Sequence, residues 1–150
     1  MRLAYAFLAD AAEVVNGRFF VFGGGVELVH STAVPAALPS LAIVIKLRLD
    51  EGDIQGAHVV RVVVLNPANE VYLPELVANF GPIHAQGAPE RPNFHLALVT
   101  FRGMPLPDFG RYQLVIYVDD RRMGELSFYL DPAPFVRPEV VQPGLPGGEE

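Results

Sequence analysis

The sequence predicts an all-β fold: an antiparallel β-sandwich, immunoglobulin-like or jelly-roll-like, of eight or nine short strands spanning residues 1–131. Three observations carry that expectation. Over Leu41–Leu49 the residues alternate with period two, Leu41, Ile43, Ile45, Leu47 and Leu49 on one face and Lys46 and Arg48 on the other. No segment sustains a helical period. Turn chemistry recurs at roughly 8–12-residue intervals, the punctuation of sandwiches and barrels.

The elements follow in order. RLAYAFLAD sets Leu3, Tyr5 and Phe7 among smaller residues and reads as a first strand. As a signal peptide it is poor, with one Arg ahead of a seven-residue apolar core, Leu3–Ala9. Asn16-Gly17 between two apolar runs is a strong hairpin signal. Phe19 to Phe22 are then expected to cross the core, and Gly23-Gly24-Gly25 to bend the chain out of the strand. LAIVI, 41–45, is apolar on both faces, which places it in a central strand covered on both sides.

After the acidic turn Asp50-Glu51-Gly52-Asp53, residues 57–65 form a valine-rich strand that ends at the turn NPANE. Pro74 demotes VYLPELVANF to an edge or bulged segment, and LPELVANF within it is the best helical candidate. Residues 81–93 read as a long loop. Strands resume at 94–101, 111–119 and 123–130, the last two joined as a hairpin through Asp119-Asp120-Arg121-Arg122. Residues 132–150 are a Pro/Gly-rich tail. Its apolar pairs Phe135-Val136 and Val140-Val141 are candidate partner-binding residues. Such a tail either adds along a sheet edge or stays loose, and both readings remain open.

Composition narrows the function classes. A chain of 150 residues with 51% apolar and 19% charged residues is a single globular domain, not a disordered one. A net charge of −6 opposes nucleic acid, which selects basic stripes. No run approaches the ~20 apolar residues of a membrane helix, so no membrane partner is expected. The absence of cysteine removes disulfides, thiolate metal sites and cysteine nucleophiles.

The motifs that could carry chemistry do not complete themselves. Gly25 is followed by VELVH, with neither the Lys of a phosphate loop nor a helix to open, so Gly23, Gly24 and Gly25 read as a structural bend. DFGRY, 108–112, lacks the other kinase elements. It resembles the tyrosine corner of immunoglobulin-like sandwiches, which gives Asp108, Gly110 and Tyr112 structural roles. His30, His58, His84 and His95 show no metal-ligand spacing and read as exposed strand or loop residues. The acidic turns at Asp50, Glu51 and Asp53, and at Asp119 and Asp120, do not match a calcium loop. Ser31, Ser40 and Ser127 lie in no nucleophile motif. No catalytic residue, metal site or cofactor is expected.

The stretches YAFLADAAEVVNGRFFVFGGGVEL, LPSLAIVIKLRL and LPDFGRYQLVIYVDDRRMGELSFYL resemble an uncharacterised bacterial family catalogued as a domain of unknown function, over about residues 3–130. The resemblance implies a cytoplasmic, single-domain β-fold and supplies no catalytic residues to carry over. The function expected is a non-enzymatic module that binds a second copy of itself or another protein. The alternative is a small-molecule or carbohydrate-binding module with Tyr72, Tyr117 or Tyr129 as a stacking platform. Against that alternative, Tyr117 and Tyr129 read as cross-strand neighbours in one hairpin. A metal-dependent hydrolase fits least, for want of a nucleophile–base pair.

Overall fold

Alternating leucine and β-branched side chains draw the chain into nine strands and one short 3-10 turn. The computed structural model describes residues 1–83 and 90–134. His84 and the tail candidates Phe135, Val136, Val140 and Val141 lie outside the described residues. The strands are β1 (Arg2–Val15), β2 (Arg18–Gly24), β3 (Leu28–Ser31), β4 (Ala36–Leu49), β5 (His58–Leu65), β6 (Leu76–Phe80), β7 (Asn93–Leu106), β8 (Gly110–Val118) and β9 (Arg121–Pro132). They form two sheets, a four-stranded one in the order β2-β1-β4-β7 and a five-stranded one in the order β3-β9-β8-β5-β6.

One core joins the sheets. Leu41, Ile43, Ile45 and Leu47 of β4 cluster with Val60, Val62 and Val64 of β5 and with Leu114 and Ile116 of β8. Each such side chain contributes about 1.5–3 kcal/mol by burial. Leu41–Ile45 is buried on both faces, because β4 lies between β1 and β7 and their side chains close over its outward residues too.

Two features depart from the expected antiparallel, short-stranded pattern. β3 runs parallel to β9, with Leu28 opposite Tyr129 and Ser31 opposite Pro132. The chain reaches β3 by crossing from the other sheet, so no hairpin sets its direction. Strands β1, β4 and β7 each have 14 residues. Pro39 and Pro105 do not end their strands. Pro39 falls opposite Gly103, whose φ is +64°, where the ladder skips one pair without a change of register, and Pro105 lies on the edge strand β7. Both are places where a missing N–H breaks no ladder. LPELVANF is no helix: Leu76–Phe80 pairs along β5, long-range pairing overriding a short local preference.

The hairpin turns use two residues each. Asn16 and Gly17 (φ 49° and 70°) close Val15 on Arg18, and Asp119 and Asp120 (φ 48° and 61°) close Val118 on Arg121. The triple glycine is a crossing point. Gly23 and Gly25 are left-handed, at φ +60° and +82°. A Cβ on Gly23 would lie 2.1 Å from Asp10 Oδ2. The Leu8 carbonyl accepts from the Gly25 N–H at 2.7 Å and the Val26 N–H at 3.1 Å, turning the chain toward the second sheet. Gly24 lies outside the left-handed region, with only a tight 3.3 Å approach to Val21 Cγ1, so the constraint falls on its neighbours.

Tyr112 is fully buried and stacked on Phe128, with ring centroids 5.3 Å apart. Its hydroxyl donates to the Asp108 carbonyl at 2.7 Å and accepts from the Asp108 N–H at 3.2 Å. Phe19 to Phe22 do not cross the core. Phe20 is 50% and Phe22 72% exposed, because β2 is an edge strand and turns these two residues outward.

Two outcomes follow from these constraints. Gly23→Ala is expected to lower stability by about 2 kcal/mol, through left-handed strain and the Asp10 clash, and Gly24→Ala by well under half of that. Urea melts of the pair check the order, and equal losses would contradict the crossing geometry. Tyr112→Phe should cost about 1–2 kcal/mol by leaving the Asp108 carbonyl without its donor. Denaturant midpoints measure it.

Candidate functional site

Two regions outside the core concentrate unusual chemistry, one at the start of β1 and one along the outer face of its sheet. The first is polar. The strand β5 begins at His58, which is buried although the sequence reads it as exposed. Its Nδ1 lies 2.6 Å from Asp119 Oδ2 and its Nε2 2.7 Å from the Asp53 carbonyl. Both neighbours are acceptors, so both ring nitrogens donate and the ring is an imidazolium. Asp119, against the opposing effect of burial, holds the His58 pKa above the ordinary histidine value.

Burial pushes the Asp119 carboxyl upward, but His58 and the Val59 N–H (3.0 Å) together hold it below the usual carboxylate range. Asp119 thereby gains partners for its left-handed backbone. Asp53 is held low by the Met1 ammonium, 2.7 Å away, and by the Asp50 N–H. The ring of Phe80 lies between His58 and His95, stacked on His95 at 4.0 Å. Burial, then the His58 charge, lowers the His95 pKa.

This arrangement is a clamp. With both nitrogens engaged, His58 offers no lone pair to a metal or a substrate proton. It ties the 3-10 turn (Glu51–Asp53) to the β8–β9 turn beside a cleft of about 170 Å³ lined by Met1, Asp53, Val118, Asp119, Arg121 and Met123. Among the described residues no three His, Asp or Glu side chains gather closely enough to hold a metal.

The second region is the outer face of the four-stranded sheet. The register sets Phe22 beside Ala11, Ala9 beside Ala42, Phe7 beside Val44 and Leu98, and Tyr5 beside Lys46 and Leu96. Tyr5 is 42% and Phe94 40% exposed. Lys46, in the middle of this surface, lies 4.3 Å from the Phe94 ring centroid and 5.7 Å from that of Tyr5, so its charge is tucked over aromatic faces. A shallow depression of about 240 Å³ lies between Ala11, Ala12, Glu13, Phe20 and Phe22. Beyond Ala9, β1 leaves β4 and, among the described residues, pairs only with β2, so the rest of the hairpin is a two-stranded ribbon.

The other sheet presents the opposite surface. Arg61 pairs with Glu75 and Asp120, both at 3.0 Å, and Arg111 and Arg122 share Glu125. That face combines these ion pairs with exposed apolar residues at its two edges, Leu28 and Tyr129 on one side and Val77 on the other.

The sequence-predicted residues are dispersed. Gly23 and Gly25 lie at the base of the ribbon, and Tyr112 in the core. The tyrosines form no platform: Tyr72 donates to the Pro105 carbonyl at 2.9 Å, Tyr117 lies under Arg61, and Tyr129 is opposite Arg111. Tyr117 faces Arg122, so the expected Tyr117–Tyr129 pair does not form. The apolar outer face is missed by the sequence reading, although Asn16-Gly17 and period two already place Phe20 and Phe22 on one side of the ribbon.

Residues 4–131 match the family model of a family of unknown function, DUF6941, and the chain belongs to that family. The N-terminal resemblance is thereby borne out. No curated protein matches the sequence. Among solved structures, the alkylpurine DNA glycosylase AlkC of Pseudomonas fluorescens, bound to DNA containing an abasic site analog, is similar at TM-score 0.46 and 11% identity, over 69% of this chain and 27% of that one. Nothing is inferred from so distant a likeness. Among the described residues no helix is long and apolar enough to cross a membrane.

The clamp predicts a pH signature. The His58 contribution is fully present below the ordinary histidine pKa of about 6.5 and is lost as pH rises through the raised folded-state value. The Asp119 contribution is lost as pH falls through its lowered value. His58→Gln should therefore reduce Tm most at about pH 5–6 and progressively less toward about pH 9. Thermal melts across that range check it, and a pH-independent difference would contradict an imidazolium clamp.

Proposed function

We propose that this DUF6941 member is a non-enzymatic protein-interaction module whose docking surface is the outer face of the four-stranded sheet. One observation carries the reading: the two outer faces differ in kind. One is crossed by ion pairs, while on the other Phe22, Ala11, Ala9, Ala42, Phe7, Val44 and Leu98 form an apolar stretch, with the charges of β4, Lys46 and Arg48, gathered toward its Phe94 end. An antiparallel sheet normally solvates its free face, and a large apolar patch on a soluble domain marks a contact surface. Aromatic anchors beside small residues suit such a contact: Phe22 stands opposite Ala11, and Gly24 opposite Ala9, leaving room for a partner's side chains. We read the frame as immunoglobulin-like, a reading supported by Tyr112 and its two bonds to Asp108.

The test substitutes the exposed aromatics. Phe20→Ser with Phe22→Ser should leave Tm within a few degrees, since exposed positions carry little stability. Association, whether with itself by light scattering or with partners by affinity capture, should weaken at least tenfold. Unchanged association in a folded variant would overturn the reading.

A further inference from the structure

We propose that the partner is a second copy of this chain, joined edge to edge through β2 about a two-fold axis at Val21. The inference rests on the interaction reading above and deepens it. Its ground is the state of the sheet edges. Two sheets have four edges, and natural proteins blunt such edges with short strands, prolines, bulges or charge. β3 has four residues and β6 five, with Pro74 and Pro82 flanking the latter. β7 carries Pro105, the left-handed Gly103 two residues before it and, beside that glycine, the exposed charge of Arg102. The free side of β1 beyond Ala9 carries Asp10 and Glu13. β2 has no proline and is longer than β3 or β6. Over its seven residues the one charge is Arg18, at one end, the one left-handed residue is Gly23, near the other, and Phe20 and Phe22 are exposed between them.

The register follows from the backbone. A two-residue loop closes on a hydrogen-bonded pair, here Val15 with Arg18. Alternation then turns the N–H and C=O groups of Arg18, Phe20 and Phe22 toward β1, and those of Phe19, Val21 and Gly23 outward. No described residue pairs with that outward side. An antiparallel partner must present the same parity, and the register that uses all seven residues of β2 places Val21 opposite its own copy.

That register sets Phe20 opposite Phe22 of the copy, twice, on the outer face, as cross-strand aromatic pairs. It sets Phe19 opposite Gly23 and Arg18 opposite Gly24, so no like charges meet. The two four-stranded sheets become one eight-stranded sheet, and the apolar faces run together. An edge contact of this length is small for a stable interface, so dissociation in the micromolar range is expected.

The experiment uses the full chain, and the lack of cysteine makes introduced thiols unambiguous. Phe20→Cys mixed with Phe22→Cys should give a disulfide-linked dimer under mild oxidation, whereas each variant alone should cross-link at least tenfold less. The mixed pair is a directly opposed non-hydrogen-bonded pair with Cα atoms about 4.5 Å apart, within disulfide reach. Sedimentation should show a concentration-dependent dimer. Val21→Pro, which removes an outward N–H and no β1 bond, should shift it to monomer with its circular dichroism retained. A monomer at about 100 μM, far above the expected micromolar dissociation range, overturns the proposal. So does a dimer in which the mixed thiols fail to link preferentially. If the chain is monomeric but the double serine variant still loses a captured partner, the second copy is wrong and the interaction reading stands. If that variant loses nothing, both fall.

Discussion

The Leu8 carbonyl accepts two N–H groups, those of Gly25 and Val26, and the arrangement of both sheets depends on where it does so. Until Gly24 the chain is a strand of the four-stranded sheet, and four residues later it is β3 of the other. The crossing needs left-handed backbone at Gly23 and Gly25 and no side chain over Asp10. It therefore ends β2 and leaves that strand with β1 as its single described neighbour. An edge with free peptide groups on one side is the direct consequence of that crossing.

The same crossing separates the molecule's two outer surfaces. Because β3 joins β9, the five-stranded sheet acquires a short blunted edge, and its outer face is knitted by Arg61, Arg111 and Glu125. Among the described residues the four-stranded sheet has no such network of ion pairs on its outer face. Its outward residues at β1 and β4 mix the fully buried Ala9, Ala42 and Val44 with the larger Phe7, Tyr5 and Lys46 that flank them in the register. The face is shallowly textured, a form that suits another sheet's side chains better than a small ligand.

Local signals in the sequence were sufficient for local structure. Period two at Leu41–Leu49, the Asn16-Gly17 turn and the short link at Asp119-Asp120 each describe a strand or hairpin whose geometry is decided within a few residues. What the sequence concealed depends on pairing over long separations. Phe20 and Phe22 have the hydrophobicity of core residues, and only the knowledge that β2 is an edge reveals them as surface. Pro39 and Pro105 look like strand breakers until the skipped pair opposite Gly103 and the edge position of β7 supply a tolerant site. His58 is an undistinguished histidine in sequence, because its partner Asp119 is sixty-one residues away and arrives through the β5–β8 pairing. Of the predicted site residues, the glycines and Tyr112 were legible through turn and corner chemistry, and the outer face was not.

The clamp and the ribbon tip act at a distance from each other. β1 starts at the clamp, where Met1 meets Asp53, and ends at the ribbon tip. Fourteen extended residues span about 45 Å. Groups so far apart and without shared partners contribute additively, so the charge state of His58 governs the folding of one end and leaves the chemistry of the other untouched. The clamp secures the end of the two-sheet fold where the 3-10 turn, the β8–β9 turn and the chain start converge. At the opposite end the ribbon is held by β1–β2 bonds and a few apolar contacts, and has the most to gain from neighbouring strands. An edge that lacks its own covering is the place where added hydrogen bonds cost the least ordering, since the hairpin already fixes its conformation through Asn16-Gly17.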